Sequence, residues 1–287
     1  MATITSDAAS DRLIARPTRD RDALLAFLSR DRLYAAYAIA DMDDSEFSRT
    51  RWGVALQGGE PIAVCMDYSG LSPQPLFVMG DPAGVRMVLG SVIRTRTAYL
   101  AALPEHLPAV SEHYRVDPGP RMLRMWVDRA TFHPAVGEAI RLDAGDTRGL
   151  NRLYELGLTA WLPTESISTG VYYGVRRGGR LVAAAGTHVI GPMYGLAAVG
   201  NVFTHRDWRG RGFAKMVTSA VTAELLESVD TVVLNVRADN EPALAAYRTL
   251  GYQPHTFFEE RLVRREGSLW DSIVAPFRRY LPDRRTR

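Results

Sequence analysis

Arg209-Gly210-Arg211-Gly212-Phe213-Ala214 brings two arginines and two glycines together just ahead of a helical pattern. Residues of these types at this spacing are suited to holding an anion. The N–H groups in the first turn of a helix have no internal partner, and the helix dipole adds positive potential there. Glycines let the backbone come close to a phosphate, and guanidinium groups add charge-assisted hydrogen bonds. Two familiar phosphate loops are excluded. A P-loop needs Lys-Ser/Thr after its second glycine, and here Phe213-Ala214 follows Gly212; a dinucleotide fingerprint needs a third glycine where Lys215 stands.

Regular elements must position this loop. Val199 to Thr204 is an apolar run with β-branched and aromatic residues, which predicts a buried strand. Beyond the loop, Phe213, Met216, Val217, Ala220, Val221 and Leu225 recur at helical spacing and define one apolar face. Thr231 to Val236 predicts the next strand. Asn240, Pro242 and Gly251 then bracket a second helix as N-cap, first-turn proline and C-terminal stop, with Tyr247 inside it.

The first hexapeptide fits Arg/Gln-x-x-Gly-x-Gly/Ala. The later stretch fits Asn-x-x-Ala-x-x-x-Tyr-x-x-x-Gly-Phe/Tyr. In this order the two motifs resemble the signature of the GNAT (general control-related N-acetyltransferase) superfamily, over about Leu142 to Val263. The resemblance implies an α/β (α+β) fold, a mixed twisted sheet flanked by helices. It implies acetyl-coenzyme A, or another acyl-coenzyme A, as co-substrate and no metal. Arg209, Gly210, Arg211, Gly212, Phe213 and Ala214 would then hold the pyrophosphate. Backbone N–H groups of about Val202, Phe203 and Thr204 would serve the thioester carbonyl and the pantetheine arm. Asn240 would contact the cofactor as well as cap its helix, and Tyr247 would stand near the sulfur. A phenol can give its proton to a thiolate, whose ordinary pKa lies ~1.5 units lower.

The general base is not marked. Many members carry a glutamate near the position of Ala198 or Val199, and this chain has no carboxylate from Met193 to Arg206. Glu165, Asp207, His188 and His205 are the candidates. Glu165 is preferred, because its loop borders the acceptor in this superfamily; His205 and Asp207 read better as partners of the turn. A water chain taking the proton is the alternative. Trp161-Leu162-Pro163 in the same loop reads either as an acceptor lid or as packing.

The first half of the chain repeats the order of the second. Trp52-Gly53-Val54-Ala55-Leu56-Gln57-Gly58-Gly59-Glu60-Pro61 aligns with Tyr173-Gly174-Val175-Arg176-Arg177-Gly178-Gly179-Arg180-Leu181, each a hairpin with a Gly-Gly turn. This predicts a tandem: residues 1–130 a degenerate GNAT-like domain, and residues 131–287 the acyltransferase domain with a C-terminal helix and a basic tail. At the place of the pyrophosphate loop the first half has Gly80-Asp81-Pro82 and no arginine. Asp81 would repel a phosphate and Pro82 removes a donor, so this half is expected not to bind coenzyme A.

The 287 residues are 46% hydrophobic and 23% charged, the balance of a globular protein rather than a disordered one. Cys65 is the only cysteine, which excludes an internal disulfide and a cysteine metal cluster. Met1 to Ser10 has no basic-then-apolar pattern, and no apolar run reaches membrane-spanning length; the expectation is a cytoplasmic protein without membrane contact. The net charge of +3 makes no case for nucleic acid, and the closing arginines read as a solvated end. The expected activity is transfer of an acetyl (acyl) group from coenzyme A to an amine, on a small molecule or a protein, by direct attack on the thioester. The alternative is a catalytically weak acyl-coenzyme A binding or sensing protein; a third reading is thioester hydrolysis. Sequence leaves open whether the chain acts as a monomer or a homodimer.

Overall fold

The computed structural model describes residues 12–155 and 162–266. Trp161, the expected C-terminal helix and the closing arginines lie outside the described residues.

The chain runs β1 (Ile14–Thr18), α1 (Arg21–Leu28), α2 (Ala36–Ala40), α3 (Asp44–Phe47), β2 (Thr50–Gln57), β3 (Glu60–Tyr68), β4 (Gln74–Gly80), α4 (Pro82–Ser91), β5 (Thr97–Ala102), α5 (Leu107–Ser111), β6 (Tyr114–Val116) and β7 (Arg121–Asp128). It continues with β8 (Ile140–Arg141), α6 (Thr147–Leu153), α7 (Thr164–Thr169), β9 (Tyr173–Arg177), β10 (Arg180–Gly191), β11 (Leu196–Thr204), α8 (Phe213–Ser228), β12 (Thr231–Arg237), α9 (Glu241–Thr249) and β13 (Gln253–Arg265).

Two compact units form, and their borders differ from the expected cut at 130/131. The first holds the described residues among 1–20, 49–119 and 259–287; the second holds those among 21–48 and 120–258. Two physical causes move the borders. Helix α2 buries Ala36, Ala38, Ile39 and Ala40, and it packs on β10 and β11 rather than on the sheet nearest in sequence. Gly191 admits the Ala40 backbone so closely that a Cβ there would sit 2.8 Å from the Ala40 Cα. The Arg32 guanidinium donates to the carbonyl of Tyr194, fixing the same junction. At the other end of the chain, Glu259 to Arg264 pair antiparallel with β5, so the last strand completes the first unit's sheet.

Each unit repeats one plan, as the aligned hairpins predict. In the first, β1, β2, β3 and β4 pair antiparallel in that order, and β4 pairs parallel with β5 across the crossover helix α4. In the second, β8, β9, β10 and β11 pair antiparallel, and β11 pairs parallel with β12 across α8. Both hairpin turns have two glycines at positive φ: Gly58 at 59° and Gly59 at 89°, Gly178 at 55° and Gly179 at 76°. That backbone suits the twist of a two-residue turn, and only glycine adopts it twice without strain. Four of the six residues of the helical stripe read from the sequence are buried, Met216 and Ala220 are half-buried, and the buried face also takes in Thr218, Ser219, Thr222 and Leu226. Phe213, Val217, Val221 and Leu225 of α8 meet Val199, Val232 and Leu234 in the core of the second unit. Each such side chain contributes roughly 1.5–3 kcal/mol through burial. Val78, Val85, Val88, Leu89 and Leu100 form the counterpart core of the first unit. Among the described residues no helix is long and apolar enough to cross a membrane.

Candidate active site

Strands β11 and β12 pair from Leu196 opposite Thr231 to Val199 opposite Leu234, and then part. β11 nevertheless runs on to Thr204 and β12 to Arg237. Two adjacent parallel strands that diverge leave their facing N–H and C=O groups available to a ligand between them. Val202, Phe203 and Thr204, the residues expected to face the thioester arm, all lie on this unpaired run. On its other edge β11 stays paired with β10, Phe203 opposite Ala184 and Thr204 opposite Ala183, with a bulge between Ala184 and Gly186. The bulge puts Asn201 at a φ of 53°. Asparagine tolerates this region because its side chain makes local hydrogen bonds. Here the Asn201 amide donates to the Tyr172 hydroxyl (3.2 Å), and its backbone carbonyl accepts from Tyr154 (2.7 Å).

The chain leaves β11 through a short turn that His205 caps, its Nδ1 accepting from the Asp207 N–H (3.4 Å). Arg209 folds back, and its Nε donates to the Thr204 carbonyl (3.2 Å). Gly210 and Gly212 then take φ of 75° and 76°, and a Cβ on either would meet nothing within 4 Å. The glycines are therefore required by the backbone, and they leave open space on their outer side. Gly212 is the N-cap of α8 and offers no capping side chain; the first helical bond runs from Met216 N–H to the Gly212 carbonyl (3.0 Å). Positive charge surrounds this helix start. The Arg211 guanidinium lies 4.6 Å over the Trp208 ring, and Arg177 lies 5.0 Å over Phe213. Arg177 escaped the sequence reading as a loop partner. Its one signal was its place in the second hairpin, directly before the Gly-Gly turn.

The first unit closes the same position. Asp81 is the N-cap of α4, and its carboxylate accepts from the N–H groups of Ala83 (2.8 Å) and Gly84 (3.2 Å). An internal anion occupies the donors that Gly212 leaves open in the second unit.

Asn240 caps α9, its Oδ1 accepting from Ala243 N–H (3.3 Å), and it lines a shallow depression of about 260 Å³ with Arg237, Asp239 and Pro242. Tyr247 is buried on α9 with its ring 6.0 Å from that of Tyr252. Burial pushes its phenol up to about 12, and its hydroxyl makes no hydrogen bond among the described residues. Tyr252 hydrogen-bonds Thr222 (2.8 Å) and lies within electrostatic reach of both Tyr247 and Tyr37. Glu165, the preferred base, stands exposed in the first turn of the short helix α7. Its carboxylate makes no hydrogen bond or ion pair among the described residues.

His188 is the candidate that does reach that parting. A Cβ on Gly200 would run into its ring, so β11 approaches it only because residue 200 is glycine. Its Nε2 lies 3.4 Å from Asn201 Oδ1, and its Nδ1 lies 3.1 Å from the Tyr37 hydroxyl. His188 is exposed to solvent, while its ring packs against Gly200 and the Tyr37 ring. That desolvation, with the charge of Arg124, holds its pKa below the ordinary histidine value, against an opposing hydrogen bond to Asn201. Among the described residues no cluster of three or more His, Cys, Asp or Glu side chains is placed to hold a metal ion.

Residues 172–262 match the family described as FR47-like protein. Among solved structures, a tandem GNAT protein from the clavulanic acid biosynthesis pathway is similar at a TM-score of 0.54 and 17% identity, over 90% of this chain and 99% of that one. This chain has the tandem GNAT fold. A GCN5-related N-acetyltransferase from Sphaerobacter thermophilus shares the GNAT fold at a TM-score of 0.57 and 16% identity, over 89% of this chain and 96% of that one. A Drosophila protein is similar at a TM-score of 0.65 and 16% identity, over 88% of this chain and 98% of that one. No curated protein matches the chain in sequence.

Proposed function

We propose that the chain is an acyl-coenzyme A-dependent N-acetyltransferase, in which the second unit carries acetyl-coenzyme A and passes the acetyl group to an amine. One observation carries the reading: the glycine-capped, side-chain-free start of α8, ringed by Arg177, Arg209 and Arg211, lies at the end of a strand that parts from its parallel neighbour. Acetyl-coenzyme A supplies the acyl thioester. Arg209 to Ala214 would hold its pyrophosphate through helix-start N–H groups and guanidinium charge. On the run from Val202 to Thr204, the N–H groups that point away from β10 would line the pantetheine arm and stabilise charge on the thioester oxygen.

Tyr247 has a narrower role here than its type suggests. A phenol at about 12 beside a thiol of ordinary pKa ~8.5 is some 3.5 units too weak to give up its proton outright, a gap of ~5 kcal/mol. It serves instead as a hydrogen-bond donor to the leaving sulfur, protonated throughout the physiological range. The departing thiolate then takes its proton from solvent.

The acceptor is an amine, of a small molecule or of a protein. The test is release of coenzyme A thiol from acetyl-coenzyme A across a panel of primary amines. Amine-dependent release with N-acetyl product supports the reading. Release without any amine would make the protein a thioester hydrolase, and tight binding with no release would make it an acyl-coenzyme A sensor.

A further inference from the structure

We propose that the first unit carries a ligand site of its own, a cavity at the starts of β4 and β5 that takes a small organic carboxylate. The site lies wholly within that unit, and the inference does not depend on the acyltransferase reading of the second.

The cavity has a volume of about 620 Å³, a size that suits a small molecule rather than a lone ion. Leu71, Ser72 and Pro73, from the turn between β3 and β4, form part of its wall. Gln74 opens β4, Arg96 precedes β5 and Thr97 opens it, and all three line the cavity as well. The sheet holds these residues together, because β4 and β5 pair in parallel from Gln74 opposite Ala98. The closed helix start at Asp81 lies beyond the other end of β4, whose 7 residues span roughly 20 Å.

The chemistry follows from what the wall leaves unused. The Arg96 guanidinium, the Ser72 and Thr97 hydroxyls and the Gln74 amide make no hydrogen bond or ion pair among the described residues. No carboxylate lines the cavity among the described residues. Thr95, also in the wall, donates to the Asp67 carboxylate, and Arg51 Nε donates to the same group at 3.1 Å. That acid is thus already matched by a cation, and Arg96 is left as an unpaired positive charge. One planar, forked guanidinium matches one carboxylate through two parallel hydrogen bonds. A phosphate dianion would bring a second charge that the wall does not balance. The hydroxyls and the amide can each donate or accept, which suits a hydroxyl or carbonyl group on the ligand. Leu71, left 57% exposed, and Pro73 offer a surface to its apolar part.

The second unit closes the equivalent place. Its turn from β10 to β11 brings Gly195 against Asp230, which precedes β12 as Arg96 precedes β5. A Cβ on Gly195 would lie 2.7 Å from the Asp230 carboxylate, and Arg129 pairs with that carboxylate at 3.3 Å. Each unit is open where its counterpart holds an acid: the second at the helix start, the first at the strand starts.

Nitrogen-15 NMR titration of the full chain with mandelate, which carries a carboxylate, a hydroxyl and an apolar ring, tests the site. Saturable shifts are expected at the amides of Ser72, Gln74, Arg96 and Thr97. Mandelamide, the same skeleton without the charge, is expected to bind roughly 10- to 100-fold more weakly, the worth of a hydrogen bond to a charged group. Arg96→Gln should lose affinity for mandelate by the same factor at an unchanged melting temperature, since its side chain contacts no polar group among the described residues. Thr97→Val should lose several-fold and still prefer the acid to the amide. Gly212→Glu, which strikes the second unit, should bind mandelate as the wild type does, so failure here and failure of the acyltransferase reading are separable. Absence of saturable shifts at these amides overturns the proposal, as does equal affinity for mandelate and mandelamide, or an Arg96→Gln variant that binds as the wild type does. Inorganic phosphate that binds at these amides more tightly than mandelate overturns the choice of a carboxylate.

Discussion

Gly212 is where stability and ligand affinity are expected to move apart. Its φ of 76° is a left-handed conformation, and a Cβ there meets nothing within 4 Å, so a substitution carries backbone strain but no clash with the protein. Gly212→Ala should cost roughly 1–2 kcal/mol, the ordinary penalty of a side chain in that region. Gly212→Glu carries the same strain, and its carboxylate at the start of α8 returns about 0.3–1 kcal/mol through the helix dipole. The two variants should thus melt within a few degrees of each other, given about 2–4 °C per kcal/mol for units of this size. Their affinities should differ far more. A carboxylate about 4 Å from a phosphate at an effective dielectric constant of about 20 is repelled by about 4 kcal/mol, near a thousandfold. Parallel calorimetric titrations with acetyl-coenzyme A and thermal melts read both quantities. Equal loss of affinity in the two variants would place the effect in loop geometry rather than in phosphate contact. Full affinity in Gly212→Glu would refute the assignment of the loop.

Asp81→Ala should lower stability by about 0.5–2 kcal/mol, because two N–H groups of α4 lose their cap, yet leave one cofactor per chain; melts and titration stoichiometry check both halves. Tyr247→Phe should slow turnover about 10- to 100-fold with little change in the acetyl-coenzyme A KM, and it should not destabilise the fold, since the hydroxyl makes no hydrogen bond among the described residues; a KM effect without a kcat effect would contradict this. Burial raises Asp41 from 3.8 to about 8, with the charge of Glu46 adding to it. The folded state keeps that proton when the unfolded chain has lost it, so stability is full below pH about 4 and falls by up to ~1.4 kcal/mol per pH unit as pH rises to about 8. Asp41→Asn should flatten the slope and stabilise the protein at pH 8; denaturant midpoints that keep the wild-type slope in the variant would contradict it.

What was legible in the sequence was local. The Gly-Gly turns, the Asn240 cap and most of the stripe on α8 each follow from a few neighbouring residues, and the structure has the turns and the cap as read and buries Phe213, Val217, Val221 and Leu225 of the stripe. The order of elements around Arg209 to Ala214 was legible for the same reason. What escaped depends on contacts far apart in the chain. Arg21 to Ser48 carries no mark that α2 will pack on β10 and β11, and the pairing of Glu259 to Arg264 with β5 joins strands about 160 residues apart. Strand β1, at Ile14–Thr18, has an exposed and irregular pattern that gives periodicity little to find. The surroundings of the candidate bases were hidden for the same reason. His188 was one of four candidate bases, and its partner Tyr37 lies 151 residues earlier, inside what reads as a plain amphipathic helix. Glu165 was preferred by its loop, and the structure leaves it exposed in the first turn of α7.

The central claim is that one unit, and only one, offers an open anion site at a helix start. Calorimetric titration of the wild-type protein with acetyl-coenzyme A tests it most directly. One site per chain is the predicted result. Two sites would mean that Asp81 does not close the first unit, and no binding would contradict the account.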